Sequence, residues 1–274
     1  MARVLALSSQ VARGHVGLSA VVPALQGLGH DVWPLPTVIL SNHLGHKHAA
    51  GMQIAPSALE EMVDALDRNG WLDQIDSVFT GYLPSADHVQ LASAIVRRLK
   101  SERTLIYLCD PIMGDEPGGL YLDPRAASAT RDELVRLADV LTPNRYELGW
   151  LAGRPVDTTE QIREAARALT TGTVVVTSAL RREAFIDNLL LTSVEAARCE
   201  VLWRPDVPHG TGDLFAGLYL GHRLNGATDR EALGRAAAGV EQAVLASQGC
   251  DELALVKSQG AWSAAKALDV RELD

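Results

Sequence analysis

Short apolar runs alternating with amphipathic helical segments fill the first two thirds of the chain, and this rhythm limits the fold more than any other feature. Arg3 to Leu7 reads as a strand ending at Ser8-Ser9, and Gly17 to Leu28 as a helix closed by Gly29. The pattern repeats, with strands over Asp31 to Leu35, Ser77 to Thr80, Thr104 to Cys109, Val140-Leu141 and Gly172 to Thr177. Between them fall helices over Ser57 to Asn69, Ser85 to Lys100, Pro124 to Ala138, Asn144 to Leu151 and Thr158 to Leu169. Strands apolar at successive positions need cover on both faces, which predicts a mostly parallel sheet between two helical layers. After Thr177 the spacing shortens. Ala184 to Ile186, Leu189 to Thr192 and Arg198 to Trp203 read as short strands with tight connections, predicting an antiparallel edge on the same sheet. Helices over Gly212 to Leu224, Asp229 to Ser247 and Glu252 to Gln259, then a weak final strand, complete a three-layer α/β/α architecture.

A chain of 274 residues suffices for one large α/β domain, and no repeat, low-complexity stretch or linker marks a boundary within 1–274. The 25 basic and 34 acidic residues leave a net charge of −9, which repels nucleic acid and anionic membranes, so neither is expected as a partner. The opening apolar stretch is too short for a secretory core, and no run approaches the roughly 18 apolar residues of a membrane helix, so the expectation is a soluble cytoplasmic protein. Cys109, Cys199 and Cys250 are far apart and without C-x-x-C spacing, so they read as small apolar residues rather than a disulfide or zinc framework.

In open α/β sheets ligands sit beyond the carboxyl ends of the strands, and the chemistry-bearing residues of this sequence fall there. His209-Gly210-Thr211-Gly212-Asp213 is a glycine turn running straight into an apolar helix. Consecutive amides at Gly210, Thr211 and Gly212 together with the helix N-terminus can hold an anion, as phosphoryl transfer requires. Asp213, in the first turn of that helix, is placed to take a proton from an attacking hydroxyl. A plain helix cap would use the same residues, so the turn alone leaves both readings open. No G-x-x-x-x-G-K-[ST] loop and no full G-x-G-x-x-G pattern occurs, which disfavours a P-loop NTPase and a classical dehydrogenase. Asp110 follows the strand ending at Cys109, and Asn144 and Glu147 follow Thr142-Pro143. Asp110 and Glu147 suit magnesium, which takes one or two carboxylates alongside phosphate oxygens, although a strand-ending turn and a capping box would use the same residues. Thr177 and Ser178 end the next strand with hydroxyls that suit phosphate or a monovalent cation, or simply terminate the strand.

Together these blocks resemble the ribokinase-like superfamily and, within it, the pyridoxal kinase family. The resemblance rests on Ser9-Gln10-Val11-Ala12-Arg13-Gly14-His15-Val16-Gly17, Val38-Ile39-Leu40-Ser41-Asn42-His43, Thr80-Gly81-Tyr82 and Cys109-Asp110-Pro111-Ile112-Met113-Gly114-Asp115. It continues through Thr142-Pro143-Asn144-Arg145-Tyr146-Glu147, Val176-Thr177-Ser178 and the turn from Gly210 to Asp213, so it spans residues 3 to about 250. It implies ATP-dependent phosphorylation of the 5′-hydroxymethyl group of pyridoxal, with pyridoxine and pyridoxamine as related substrates. Ser9, Val16, His43, Tyr82 and Tyr121 would then meet the vitamer, Tyr121 from a flap whose lid is the Gly- and Asp-rich run 114–119. Asp110, Asn144, Glu147, Thr177 and Ser178 would serve ATP, with Asp110 and Glu147 also holding Mg2+, and Asp213 would be the base. K+ and a homodimer are implied by the same resemblance. Two readings stand beside it: a hydroxymethylpyrimidine kinase of thiamine metabolism, and a non-catalytic relative that binds pyridoxal 5′-phosphate.

Two positions depart from the family pattern. Leu44 stands where a threonine hydroxyl usually contacts the vitamer, which bears on the choice among vitamers. His209 replaces an aliphatic residue before the glycine turn and reads as a surface histidine or a nucleotide contact. His43, His46 and His48 lack an acidic or cysteine partner at ligand spacing and read as a polar loop rather than a metal site.

Overall fold

The computed structural model describes residues 1–169 and 171–273. In chain order its elements are β1 (Arg3–Val11), α1 (Leu18–Gly27), β2 (Asp31–Leu40), β3 (Gly51–Gln53), α2 (Pro56–Arg68), β4 (Ser77–Thr80), α3 (Ala86–Glu102) and β5 (Ile106–Cys109). Next come β6 (Gly114–Asp115), β7 (Gly119–Leu120), α4 (Pro124–Ala129), β8 (Val140–Leu141), α5 (Arg145–Ala152), α6 (Thr159–Ala168) and β9 (Thr173–Arg182). The last are β10 (Phe185–Thr192), β11 (Ala196–Leu202), α7 (Thr211–Leu224), α8 (Asp229–Ala246), α9 (Leu255–Ser263) and β12 (Val270–Glu272).

The main sheet runs β12-β11-β10-β9-β8-β5-β4-β1-β2-β3. Its centre, β9 through β2, is parallel, while β10, β11 and β12 form the expected antiparallel edge and β3 adds an antiparallel strand at the other end. Successive side chains of each strand leave on opposite faces. Thus Leu5 and Leu7 of β1 and Val174 and Val176 of β9 pack with α2 to α6, whereas Val4, Ala6 and Val175 pack with α1, α7, α8 and α9. That alternation inside uniformly apolar strands is the physical content of the three-layer expectation.

The structure corrects several boundaries. The strand expected over Asp31 to Leu35 continues to Leu40 through Pro34 and Pro36. β3 pairs only with Val38 to Leu40, so the prolines lie where β2 has β1 on one side and no strand on the other, and their missing N–H groups cost no ladder bond. The two short strands expected at 184–186 and 189–192 are one strand, β10, whose register against β9 shifts between Asp187 and Leu189. The helix expected over Pro124 to Ala138 stops as α4 at Ala129 and widens into a π-turn over Thr130–Leu134. The final helix begins at Leu255 rather than Glu252.

The chain passes from β1 to β2 on one side and then crosses to β4 on the other, so a crevice opens at the carboxyl ends of the strands where this reversal occurs. The tips of β1, β4, β5 and β8 and the N-terminus of α7 surround it.

Candidate active site

The turn before α7 is shaped by close approach. Gly210 has φ 100°, and a Cβ there would lie 1.8 Å from the carbonyl oxygen of His15. Only glycine fits, and the loop after β1 consequently packs directly on the turn. Leu214 N–H donates to Gly210 O at 2.9 Å, so the amides of Thr211 and Gly212 precede the first helical bond and are left for an anion.

Asp213 stands in the first turn of α7, half-buried. Backbone N–H groups of Gly17 and of Asp213 itself donate to its carboxylate, while Oδ1 is buried without a hydrogen-bond partner. Burial pushes the carboxyl up to about 6, and the two amide bonds only partly offset it. A buried carboxylate oxygen without a donor is costly in a folded protein, and a hydroxyl presented by a substrate would satisfy it.

Asp110 is buried at the tip of β5 and accepts from Thr142 Oγ1 at 2.8 Å. Its carboxyl is pushed well up, first by burial and then by the negative charges of Asp213 and Glu147, so the carboxylates share one neighbourhood. Glu147 is pushed up to about 8, mainly by burial, with the amides of Met113, Asn144 and Gly114 opposing and Asp115 adding to it. Met113 N–H donates to Oε1 at 3.0 Å and Asn144 N–H to Oε2 at 2.9 Å, the second bond belonging to a full capping box at the start of α5. Asn144 Oδ1 accepts from Glu147 N–H at 2.9 Å, and its Nδ2 donates to Gly114 O at 2.8 Å, tying α5 to the β6–β7 hairpin. Its amide is therefore spent on holding the site's frame. Among the described residues no group of three or more His, Cys, Asp and Glu side chains converges as a metal site, the 43–48 histidines included.

Thr177 and Ser178 lie where β9 bulges: Leu180 faces Asp187 and Val176 faces Leu189, so 177–179 stand opposite Asn188 alone. Thr177 N–H donates to Pro143 O at 2.9 Å, beside Asn144. Ser178 is exposed with φ 49°, and its N–H donates to Asn188 Oδ1 at 3.1 Å. The sequence analysis passed over Asn188 and gave Thr142 no role, although a lone amide in an apolar strand and a hydroxyl two residues before a helix cap were the available signals.

The remaining predicted residues border the other side of the crevice. Ser9 is half-buried at the end of β1. Tyr82 follows β4, with its N–H donating to Ser8 Oγ at 3.0 Å, its carbonyl accepting from Thr37 Oγ1 at 2.7 Å and its phenol pushed up by burial. Val16 and His43 share a shallow cleft with Arg13, His15, His46, His209, Asp251 and Glu252. Tyr121, just beyond β7, is 55% exposed. Its phenol is nonetheless pushed up by burial and then by the negative charges of Glu147, Asp115, Asp213 and Asp110.

Residues 33–257 match the phosphomethylpyrimidine kinase family. A curated pyridoxal kinase of Corynebacterium diphtheriae is 33% identical over 267 residues, covering 94% of each chain. Another, of Pseudomonas entomophila, is 36% identical over 266 residues, covering 93% of this chain and 92% of that one. Among solved structures, pyridoxal kinase of Leishmania donovani in complex with ADP and pyridoxamine superposes with a TM-score of 0.93 at 27% identity over all of both chains. Pyridoxal kinase of Entamoeba histolytica superposes with a TM-score of 0.94 at 23% identity, again over all of both chains, a likeness of fold.

Proposed function

The chain belongs to the phosphomethylpyrimidine kinase family and within it to the pyridoxal kinases, and from that premise we propose that it transfers the γ-phosphoryl group of ATP to the 5′-hydroxymethyl group of pyridoxal. The product is pyridoxal 5′-phosphate, and pyridoxine and pyridoxamine carry the same reacting alcohol. The observation that carries this reading is Asp213: a buried carboxylate oxygen without a donor, beside unpaired amides that suit a phosphoryl group.

In this reading the 5′-hydroxyl approaches Asp213 and gives up its proton there as its oxygen attacks. The amides of Gly210, Thr211 and Gly212 take the charge that builds on the phosphoryl oxygens, without reorganising. Ser9, Val16, His43 and Tyr82 hold the vitamer on one side while Tyr121 closes over it, excluding water that would otherwise accept the phosphoryl group. Asn144, Thr177 and Ser178 border the triphosphate side, where Asn144 acts by fixing α5 and the hairpin. The residues fit magnesium: the charges of Asp213 and Glu147 raise the affinity of the Asp110 carboxylate for positive charge, and Asp110 with Glu147 behind it would hold the ion. Magnesium would supply charge neutralisation on the triphosphate. The neutral hydroxyls of Thr177 and Ser178 suit K+. The exposed apolar pair Ile39 and Met52, facing each other across β2 and β3, suits a homodimer.

Incubation with MgATP and pyridoxal, read by the absorbance of pyridoxal 5′-phosphate, tests the assignment, with hydroxymethylpyrimidine, pyridoxine and pyridoxamine run in parallel. Turnover of pyridoxal is the expected result. ATP consumed only with hydroxymethylpyrimidine would overturn the vitamer assignment, and tight pyridoxal 5′-phosphate binding without ATP consumption would overturn the kinase.

A further inference from the structure

His209 immediately precedes the anion turn, and its ring lies over that of His43 with centroids 3.9 Å apart and planes 24° from parallel. His43 belongs to loop 41–50 between β2 and β3, so the stack joins this loop to the N-terminal end of α7. Gly45 N–H donates to His43 Nδ1 at 3.1 Å, which makes Nδ1 an acceptor and leaves the proton of the neutral ring on Nε2. The fit is close: a Cβ at Gly45 would come within 2.9 Å of His43 Nδ1 and 3.1 Å of His209 Nε2. Burial first, then His209 and His46, push His43 down to about 4 against the pull of Asp115, so the stack does not set one cation on another at neutral pH. The rest of the loop has few other ties to α7. Leu44 is 65% exposed and its side chain offers no hydrogen bond, Asn42 bonds only within the loop, and Ser41 O accepts from Arg13 N–H at 2.9 Å, which ties the start of the loop to the segment after β1 rather than to α7.

We propose that His209 is a positioning residue for the vitamer: by stacking on His43 it holds loop 41–50 against the anion turn, fixing a wall of the substrate cleft that the apolar side chain of Leu44 leaves unanchored. The inference rests on the kinase reading above and deepens it, because it assigns vitamer affinity to a contact between two loops rather than to a direct bond. An aliphatic side chain at 209 would fill space but would not stack.

The test compares His209→Ala, His209→Leu and His209→Phe. His209 is exposed, so these changes leave the core intact. Alanine and leucine should raise KM for pyridoxal about fivefold, with kcat and KM for ATP within about twofold, while phenylalanine, which keeps an aromatic face, should restore KM. Hydrogen–deuterium exchange of residues 41–50 in the protein without substrate should lose protection in His209→Ala and keep it in His209→Phe. Unchanged KM and unchanged loop exchange in His209→Ala would overturn the proposal, as would a fall in kcat at constant KM, which would make His209 part of phosphoryl transfer. If the wild-type protein turns over no vitamer, the kinase reading fails. The exchange comparison then still decides whether the stack holds the loop.

Discussion

Asp213 is a carboxylate whose surroundings raise its basicity without neutralising it: at about 6 it remains mostly ionised at neutral pH yet accepts a proton more readily than an exposed aspartate. In the proposed role as base the ionised form is the active one, so kcat/KM for the vitamer should fall as pH drops through about 6. Bound magnesium nucleotide would favour the charged form, so the corresponding fall in kcat should lie at lower pH. A pH–rate profile flat from neutrality to about pH 5 would contradict the role. Asp213→Asn should lower kcat by about 10²-fold or more while vitamer affinity changes little, and a fully active variant would remove Asp213 from the chemistry. Gly210 makes a separate prediction, because its φ of 100° and the 1.8 Å approach to His15 O combine two penalties. Gly210→Ala should destabilise the protein by roughly 2 kcal/mol or more and abolish most turnover, read by urea unfolding and by the same assay. A stable, active Gly210→Ala protein would mean that the turn can relax without losing its anion cradle.

At the scale of elements, the start of α5 links helix stability to the β6–β7 hairpin. Asn144 caps the helix with its carbonyl and holds the β6–β7 hairpin with its amide. Asn144→Ser should preserve most of the cap but not the reach to Gly114, whereas Asn144→Ala loses both. The alanine variant should therefore be less stable by about 1 kcal/mol, while both variants raise KM for ATP; equal stability of the two would mean that the cap contributes nothing. The same elements mark what the sequence disclosed. Asp110 was legible because an apolar strand ending in Cys109 must stop where water or ligand begins, and α7 because a glycine turn led into uninterrupted apolar residues. Asn144 and Glu147 were legible as a capping box, but the bond to Gly114 joins segments 30 residues apart and has no local signature. The β6–β7 hairpin has two residues per strand, too few to show a period, although its glycines suggested a lid. β10 was divided because Asp187 and Asn188 interrupt its apolar run. Asn188 stands opposite the bulge in β9 and accepts from Ser178 N–H, so the interruption answers that bulge rather than a turn. The His43–His209 stack was equally invisible, since each histidine alone looked like a polar loop residue.

Across the whole molecule, the two cores share their strands. Leu5 and Leu7 belong to one and Val4 and Ala6 to the other, so neither helical layer can separate without stripping apolar side chains from the sheet that supports both. We propose on this ground that residues 1–274 form one cooperative domain, and calorimetry should give a single transition with equal calorimetric and van't Hoff enthalpies. The far end of the sheet differs. β3 is a three-residue edge strand, and its Met52 is 66% exposed beside Ile39, which is 43% exposed on β2. An unpaired edge carrying adjacent apolar side chains invites a second strand or sheet. A second copy meeting this edge would bring its own β2–β3 pair, and a two-fold contact would bury the same residues on both sides. Light scattering should therefore give twice the 29.4 kDa chain mass. Met52→Lys should reduce it to the single-chain value, because a charge at the centre of a symmetric contact is met by its own copy across the axis. Loop 41–50 joins β2 to β3, so losing the dimer should also raise KM for pyridoxal more than KM for ATP. A Met52→Lys protein that stays dimeric would move the interface elsewhere, and a monomeric wild type would leave this edge to the solvent.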